Sequence, residues 1–482
     1  MDIGDSYNPQ IFYYTPMSKK NTVLFTLGLT SFLVPYMGSS LNLALPEIAK
    51  AFNLDVKQLG WINSGFLIAT AVFQVPFAKI ADLIGRRKVF LYGVALFGIA
   101  SVACAFAWNF ASLIVFRAFA GLGGAMVFGT NLAILSATYE QHERGRAMGI
   151  LSSVVYMALA IGPFFGGILT HYLGWESVFY IPGAILIVQA FCVPFLIKRE
   201  WIENKGKSFD KIGALIYGLA LFCLIFGFSE LPLTRGVCFS VAGIFLLVFF
   251  YNYEKEKEEP VFQVRLFRSN KVFTFASLAA FFSYAATMAV SFMISLYLQV
   301  VRGFDARIAG LVLISSAVVQ SVVALYAGRL ADKFEASKIA MLGMGLNAIG
   351  LLGLLFTGVQ SPIYAIVAML LFLGVGFGLF SSPNTKMIMG SVDKRHISQA
   401  SATVGTMRLT GQAFSMGIAM MSVSFFVGGS QITPEKFENF MQSWRLTFGI
   451  CAVLCIVGTY ASSVNSIFIP HAQNHAQKEK KT

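Results

Sequence analysis

Residues 78–88 read AKIADLIGRRK, and residues 328–338 read GRLADKFEASK. Each string follows a long apolar run, sets a small and an apolar residue near an Ala-Asp pair, and closes on a basic residue. Recurrence of such a stretch about 250 residues apart is the trace of two related helical bundles in one chain.

Outward from these two turns the chain is a succession of apolar runs. Of its 482 residues 56% are hydrophobic and 12% charged, and the mean hydropathy is +0.70. Water cannot solvate most of such a surface, so the natural solvent is a bilayer. A helix needs about 20 mostly apolar residues to cross the hydrocarbon core. That window finds about fourteen crossings, near residues 23–46, 59–81, 89–107, 110–139, 146–170, 176–197, 212–230, 235–253, 271–300, 306–330, 338–357, 362–385, 398–427 and 444–468. The fold class expected is therefore all-α and integral to a membrane.

The net charge of +13 does not call for nucleic acid, because the charges sit in short clusters between apolar runs. Alternate loops plus both tails hold about 27 of the 36 basic residues, and the other loops about seven (Lys50, Lys57, Arg235, Arg302, Arg307, Lys436, Arg445). This asymmetry puts both termini in the cytoplasm of a multi-pass protein of the cell membrane. Arg117 and Arg408 fall inside spans. The charged connector Glu254–Arg268 divides the chain near its middle. The expected organisation is a cytoplasmic tail (1–22), a six-helix bundle (23–198), two extra spans with a linker (199–270), a second six-helix bundle (271–468) and a C-terminal tail (469–482). Residues 1–20 lack the basic start and apolar stretch of a cleaved signal peptide. The six cysteines fall inside apolar runs without metal-ligand spacing, and neither a metal nor a cofactor is expected.

The chain resembles the major facilitator superfamily, and within it the fourteen-helix drug:proton antiporter branch. AKIADLIGRRK is similar to the superfamily signature between the second and third spans, with Ala78 where glycine is usual. RAFAGLGGA (117–125) resembles the arginine motif of the fourth span, with Ala120 in a place often held by glutamine. AIGPFFGG (160–167) resembles the Gly-Pro antiporter motif of the fifth. LNLALPEI (41–48), PVFQVRLF (260–267) and SLYLQVVRGFDARIAGLVL (295–313) are similar to branch-specific stretches. The resemblance implies two six-helix bundles joined by an extra helix pair, a substrate cavity at mid-membrane and alternating access by rocking. It also implies that Asp82 meets the start of the thirteenth span near Ser398 and locks the outward-facing state. Gly85, Arg86, Arg87 and, in the repeat, Asp332 belong to the same gate, whose plainer reading is a basic cytoplasmic turn.

In the fifth span Gly162, Gly166 and Gly167 permit close helix approach and Pro163 removes a backbone bond, so these four are the expected hinge, the alternative being ordinary small-residue packing. Polar residues inside spans are costly in a bilayer; Asn42, Asn63, Gln74, Asn131, Tyr156, Tyr284, Gln320, Asn347 and Gln412 stand out. Each has an interhelical hydrogen bond as its plainer role; Asn42 and Tyr156 are the expected cavity residues. Where relatives carry an acid in the first span this chain has Met37, and no carboxylate is expected at the midplane. Arg117 is expected to face the cavity and make it electropositive, with Arg408 as the second intramembrane charge. Proton coupling would then pass through the substrate or a peripheral acid such as Glu47 or Glu140.

The function expected is export of amphipathic or lipophilic small molecules by alternating access, driven by protons. The alternative on the same scaffold is a lipid or lipid-precursor flippase. The expected partners are a small amphipathic substrate, protons and membrane lipids, with no nucleic acid and a monomeric state. An enzyme is disfavoured: GxSxG and HExxH are absent, no histidine lies at a span centre, and no P-loop occurs.

Overall fold

A computed structural model describes residues 17–203, 206, 208–257, 260–262, 264–392, 397–428 and 432–479. Residues 1–16 of the expected N-terminal tail lie outside them. The chain forms α1 (Met17–Phe52), α2 (Val56–Ile84), α3 (Arg86–Ala105), α4 (Phe110–Thr138), α5 (Gln141–Leu173), α6 (Ser177–Leu196), α7 (Lys211–Ser229), α8 (Thr234–Glu254), α9 (Arg265–Ser269), α10 (Lys271–Ala285), α11 (Thr287–Leu296), α12 (Ala306–Lys333), α13 (Ala336–Leu355), α14 (Ile363–Gly390), α15 (Ile397–Phe426) and α16 (Phe437–Glu479). Among the described residues fourteen helical segments are long and apolar enough to cross a membrane, with α10, α11 and a π-helical turn at Tyr297–Val301 forming one of them.

Polar residues set where several helices begin. Asp55 accepts from the Gln58 amide at 2.7 Å while the Gln58 side chain accepts from the Asp55 amide at 2.9 Å, a capping box that starts α2. Asn109 and Ser112 start α4 in the same way, and Asp305 caps α12 through the Ile308 amide at 2.7 Å. The ninth span breaks between α10 and α11 at Ala286, and the hydroxyl of Ser415 on α15 accepts from the Ala289 amide at 2.9 Å. A side chain from a neighbouring helix thus satisfies backbone that an unbroken helix would satisfy itself.

Two six-helix bundles follow from small residues. In the first, α4 packs on α2 and α3, α3 on α6, and α1 on α5. A Cβ at Gly121 would come within 2.6 Å of the Phe66 carbonyl oxygen, and one at Gly123 within 2.8 Å of the Gly93 carbonyl oxygen, so the GLGG run at 121–124 lets α4 lie against both neighbours. In the second, α14 packs on α12 and α13, and α16 on α10 and α13. There a Cβ at Gly343 would meet the Gly376 carbonyl oxygen at 2.6 Å. The extra pair α7–α8 forms a hairpin, and α7 lies against both α2 and α15. The two bundles meet chiefly through α5 with α12 and α2 with α15.

Candidate functional site

A cavity of about 220 Å³ lies between the bundles. Its walls come from α1, α2, α4 and α5 on one side and from α10, α12, α14 and α15 on the other, with Thr287 of α11 beside them. Tyr156 of α5 crosses it and hydrogen-bonds the hydroxyl of Ser381 on α14, and Ser321 of α12 donates to the Tyr156 carbonyl at 3.3 Å. Arg408 of α15 reaches towards α4, its guanidinium carbon 5.3 Å from the centroid of the Phe128 ring. Gln74, Asn131, Tyr284, Gln320 and Gln412 line the same space. Asp82 lines it too, at the end that carries the 82–88 turn.

The opposite end is shut by contacts between the bundles. Ser295 of α11 donates to the Asn42 carbonyl at 2.5 Å, and the Ser64 hydroxyl lies 3.3 Å from the Met420 sulfur. A Cβ at Gly60 would come within 2.8 Å of that sulfur. The stretch 162–167 of α5 completes the closure with two faces four residues apart. Gly162 and Gly166 lie on α1: Ser40 donates to the Gly162 carbonyl at 3.1 Å, and a Cβ at Gly166 would stand 2.7 Å from the Ser40 Cα. Pro163 and Gly167 lie on α12, where a Cβ at Gly167 would meet the Ala306 carbonyl carbon at 3.0 Å and Gly310 lies against the Pro163 carbonyl. All four expected hinge residues therefore sit at helix crossings, two within one bundle and two between bundles.

The 82–88 turn is held by the segment that follows α6. Arg86 is buried and places its Nε 2.7 Å from Asp82 Oδ1 and an Nη 2.5 Å from Glu203 Oε2. The Arg87 amide donates to Glu200 at 2.8 Å, and the Arg87 guanidinium donates to the Pro194 carbonyl at 3.2 Å. Gly85 has φ +122°, and a Cβ there would meet the Glu200 carboxyl carbon at 2.5 Å, so glycine is required at this corner. Asp82, Gly85, Arg86 and Arg87 thus form one network. The expected contact of Asp82 with Ser398, and the side chain of Asp332, lie outside the described residues.

Arg117 and Asn42 lie away from the cavity. Arg117 is 2% exposed, donates through Nε to the Ile62 carbonyl at 3.1 Å, and stacks over Phe66 at 4.7 Å and Phe179 at 5.9 Å. It points into its own bundle, and Arg408 supplies the cavity's cation instead. Asn42 accepts from Asn63 Nδ2 at 2.9 Å, so the pair links α1 to α2. Asn347 is fully buried, with its carboxamide packed beside Gly376 of the α13–α14 contact. Six of the nine polar span residues singled out from sequence line the cavity. Phe128 and Ser381 went unrecognised. The Ser-Ser-Pro-Asn run at 381–384, a polar break in an apolar span, is the signal for Ser381; Phe128 is one of 47 phenylalanines and has none.

Comparison with known proteins places this architecture. The chain is 28% identical over 446 residues to the riboflavin transporter RibZ of Clostridioides difficile, covering 92% of this chain and 96% of that one. It is 28% identical to the multidrug resistance protein Stp of Mycobacterium tuberculosis, over 82% of this chain and 74% of Stp. With the methylenomycin A resistance protein of Bacillus subtilis it shares 26% identity over 84% of this chain and 89% of that protein. Among solved structures, a bacterial homolog of the human lysosomal transporter Spinster, inward-facing and unoccupied, matches with a TM-score of 0.69 at 17% identity, covering 94% of this chain and 98% of that one. The family model for the Major Facilitator Superfamily matches residues 27–416 and 276–482. A chain whose described residues hold fourteen helical segments long and apolar enough to cross a membrane, twelve of them in two bundles with a cavity between, and that matches the family model along nearly its whole length belongs to the Major Facilitator Superfamily of membrane transporters.

Proposed function

We propose that this transporter exports amphipathic or lipophilic small molecules by alternating access, driven by the proton gradient. The observation that carries the reading is the cavity between the bundles, bordered by Asp82 at one end and shut at the other by the contacts that Asn42, Ser64, Pro163 and Gly167 make across the bundles. Rocking of one bundle (23–198) on the other (271–468) would break those contacts and close the Asp82 end, presenting the cavity to the opposite side. The 82–88 network acts as the gate at the Asp82 end, with Asp332 in the repeat, and Gly162, Pro163, Gly166 and Gly167 as the hinge. The excess of basic residues in alternate loops supports cytoplasmic termini in the plasma membrane, which makes the Asp82 side the cytoplasmic one. The drug-resistance names of two relatives support the direction of transport.

Met37 is 2% exposed and faces Ser101, so the first span contributes no acid at the cavity. Proton coupling falls to Asp82 at the cavity mouth, to Glu140, which pairs with Lys20 at 3.4 Å, or to Glu47 in the outer vestibule that also holds His171. Purified protein in proteoliposomes with an imposed pH gradient tests the reading: a lipophilic dye should accumulate only when the gradient is present, and gradient-independent movement would contradict it. A second reading has one observation in its favour, the near full-length match to a riboflavin transporter. Tritiated riboflavin in the same vesicles distinguishes the two.

A further inference from the structure

The export reading says nothing about which molecules the cavity prefers, and this inference rests on that reading for the site's identity. We propose that Arg408 and Phe128, one from each bundle, form a clamp that takes a flat aromatic ring between them and selects anionic or uncharged polycyclic compounds against permanent cations.

Gly405, Arg408 and Gln412 are spaced three and four residues apart, so they share one face of α15, and all three line the cavity. Arg408 stands eleven residues into α15, about 16 Å at 1.5 Å per residue, within the stretch Thr403–Phe426 that is long and apolar enough to cross a membrane. A cation at such depth is expensive and is retained for a partner or a function. Among the described residues no carboxylate pairs with Arg408. The other charged residue of the described lining, Asp82, is engaged by Arg86 at 2.7 Å. The contact Arg408 does make is with the Phe128 ring, at 5.3 Å.

A guanidinium is planar and stacks on aromatic faces as well as pairing with anions. A flat ring entering between Arg408 and Phe128 would gain both faces, while negative or electron-rich substituents would meet the only cation of the described lining. Gln74 adds a second, weaker preference that is independent of the ligand's charge. It is 5% exposed, lines the cavity, and its Oε1 is buried without a hydrogen-bond partner. A Cβ at Gly405 would come within 2.6 Å of Gln74 Nε2, so glycine at 405 makes room for this amide between the bundles. An N–H or O–H on the ligand's edge satisfies that oxygen; ethidium carries such amines and 1-pyrenesulfonate does not, so a preference for the sulfonate comes from Arg408. Because the Arg408–Phe128 contact joins the bundles, a ring that replaces it acts directly on their separation.

The test is equilibrium binding of two flat fluorescent probes, 1-pyrenesulfonate and ethidium, to purified protein in nanodiscs, with empty discs as the blank. The wild type should bind pyrenesulfonate at least tenfold more tightly than ethidium. Arg408→Gln should weaken pyrenesulfonate at least tenfold and remove the preference, while Phe128→Leu should weaken it several-fold and keep the preference. Tighter or equal binding of ethidium by wild type, binding of neither probe, or pyrenesulfonate affinity unchanged in both variants would overturn the clamp. The wild-type comparison decides even where a variant does not fold. If the binding pattern holds but proteoliposomes show no gradient-driven movement of pyrenesulfonate, the export reading fails and the clamp stands.

Discussion

Asp82 and Arg117 are both charges drawn into the protein, and their surroundings give them different consequences. Asp82 borders the cavity and shares Arg86 with Glu203. Removing its charge should release the 82–88 turn while leaving the Arg408–Phe128 pair in place. Asp82→Asn is therefore expected to lower transport at least tenfold while leaving probe affinity within about twofold; loss of binding in a folded protein would refute the gate assignment. Arg117 is enclosed by α2, α4 and α6, with a carbonyl and two aromatic rings as partners. Deleting it removes a hydrogen bond from a charged donor, a contribution of about 2 kcal/mol. Arg117→Ala should accordingly lower thermal stability and leave the preference between anionic and cationic probes unchanged. From the sequence both arginines look alike, since composition records only that a cation sits inside a span. Which face of α4 or α15 looks into the cavity depends on how the bundles pack, and that is why Arg408 and not Arg117 proves to be the cavity charge. The polar residues were easier to read, because the bilayer penalises each of them wherever it points.

At the scale of helices, α5 works at two crossings at once. Its 162/166 face holds α1 within one bundle, and its 163/167 face holds α12 across the bundle boundary. A methyl at Gly166 must displace the backbone of its own bundle, so Gly166→Ala should lower stability. A methyl at Gly167 meets the backbone of α12 and should instead favour separation of the bundles at the closed end, seen as greater labelling of Ser64→Cys, buried against Met420, by an impermeant thiol reagent. Equal labelling of the Gly167→Ala and parent proteins would count against this division. The helical spacing of the glycines was legible in the sequence, but the split between two partners was not, because it requires knowing which helix lies on each side.

The α7–α8 hairpin carries its own latch. Glu230, just beyond α7, accepts from Lys57 of α2 at 2.9 Å and from Arg235 at 2.7 Å. Burial pushes the Glu230 carboxyl up, but the hydrogen bonds and charges of Lys57 and Arg235 outweigh it and hold the group below its ordinary value of 4.5. A carboxyl whose value falls on folding adds stability above its unfolded value, and that stability is lost as pH drops through the lower folded one. The latch should hold at neutral pH and loosen only as the pH falls below the ordinary 4.5. Glu230→Gln should abolish this acid dependence of thermal stability, and an unaltered acid profile would show that the latch is not its source.

Across the whole molecule, the repeated 78–88 and 328–338 turns, the fourteen apolar runs and the connector at the chain's middle made the two-bundle architecture readable before any coordinates, because bilayer crossing imposes length and composition on every span. Which end of the cavity is shut was not readable, since it depends on how the two bundles pack against each other. The topology itself is tested by Glu256→Cys, exposed in the connector: an impermeant reagent should label it only after the membrane is opened, and labelling of intact cells would invert the orientation. Alternation is the central claim, and double electron–electron resonance addresses it in a cysteine-less background. One spin pair, Asn53→Cys with Arg307→Cys, spans the bundles at the closed end, and a second, Lys88→Cys with Lys338→Cys, spans them at the Asp82 end, all four positions being exposed. On adding substrate or lowering pH, the first distance should lengthen as the second shortens; the two distances changing in the same direction, or neither changing under any condition, would contradict alternating access in this protein.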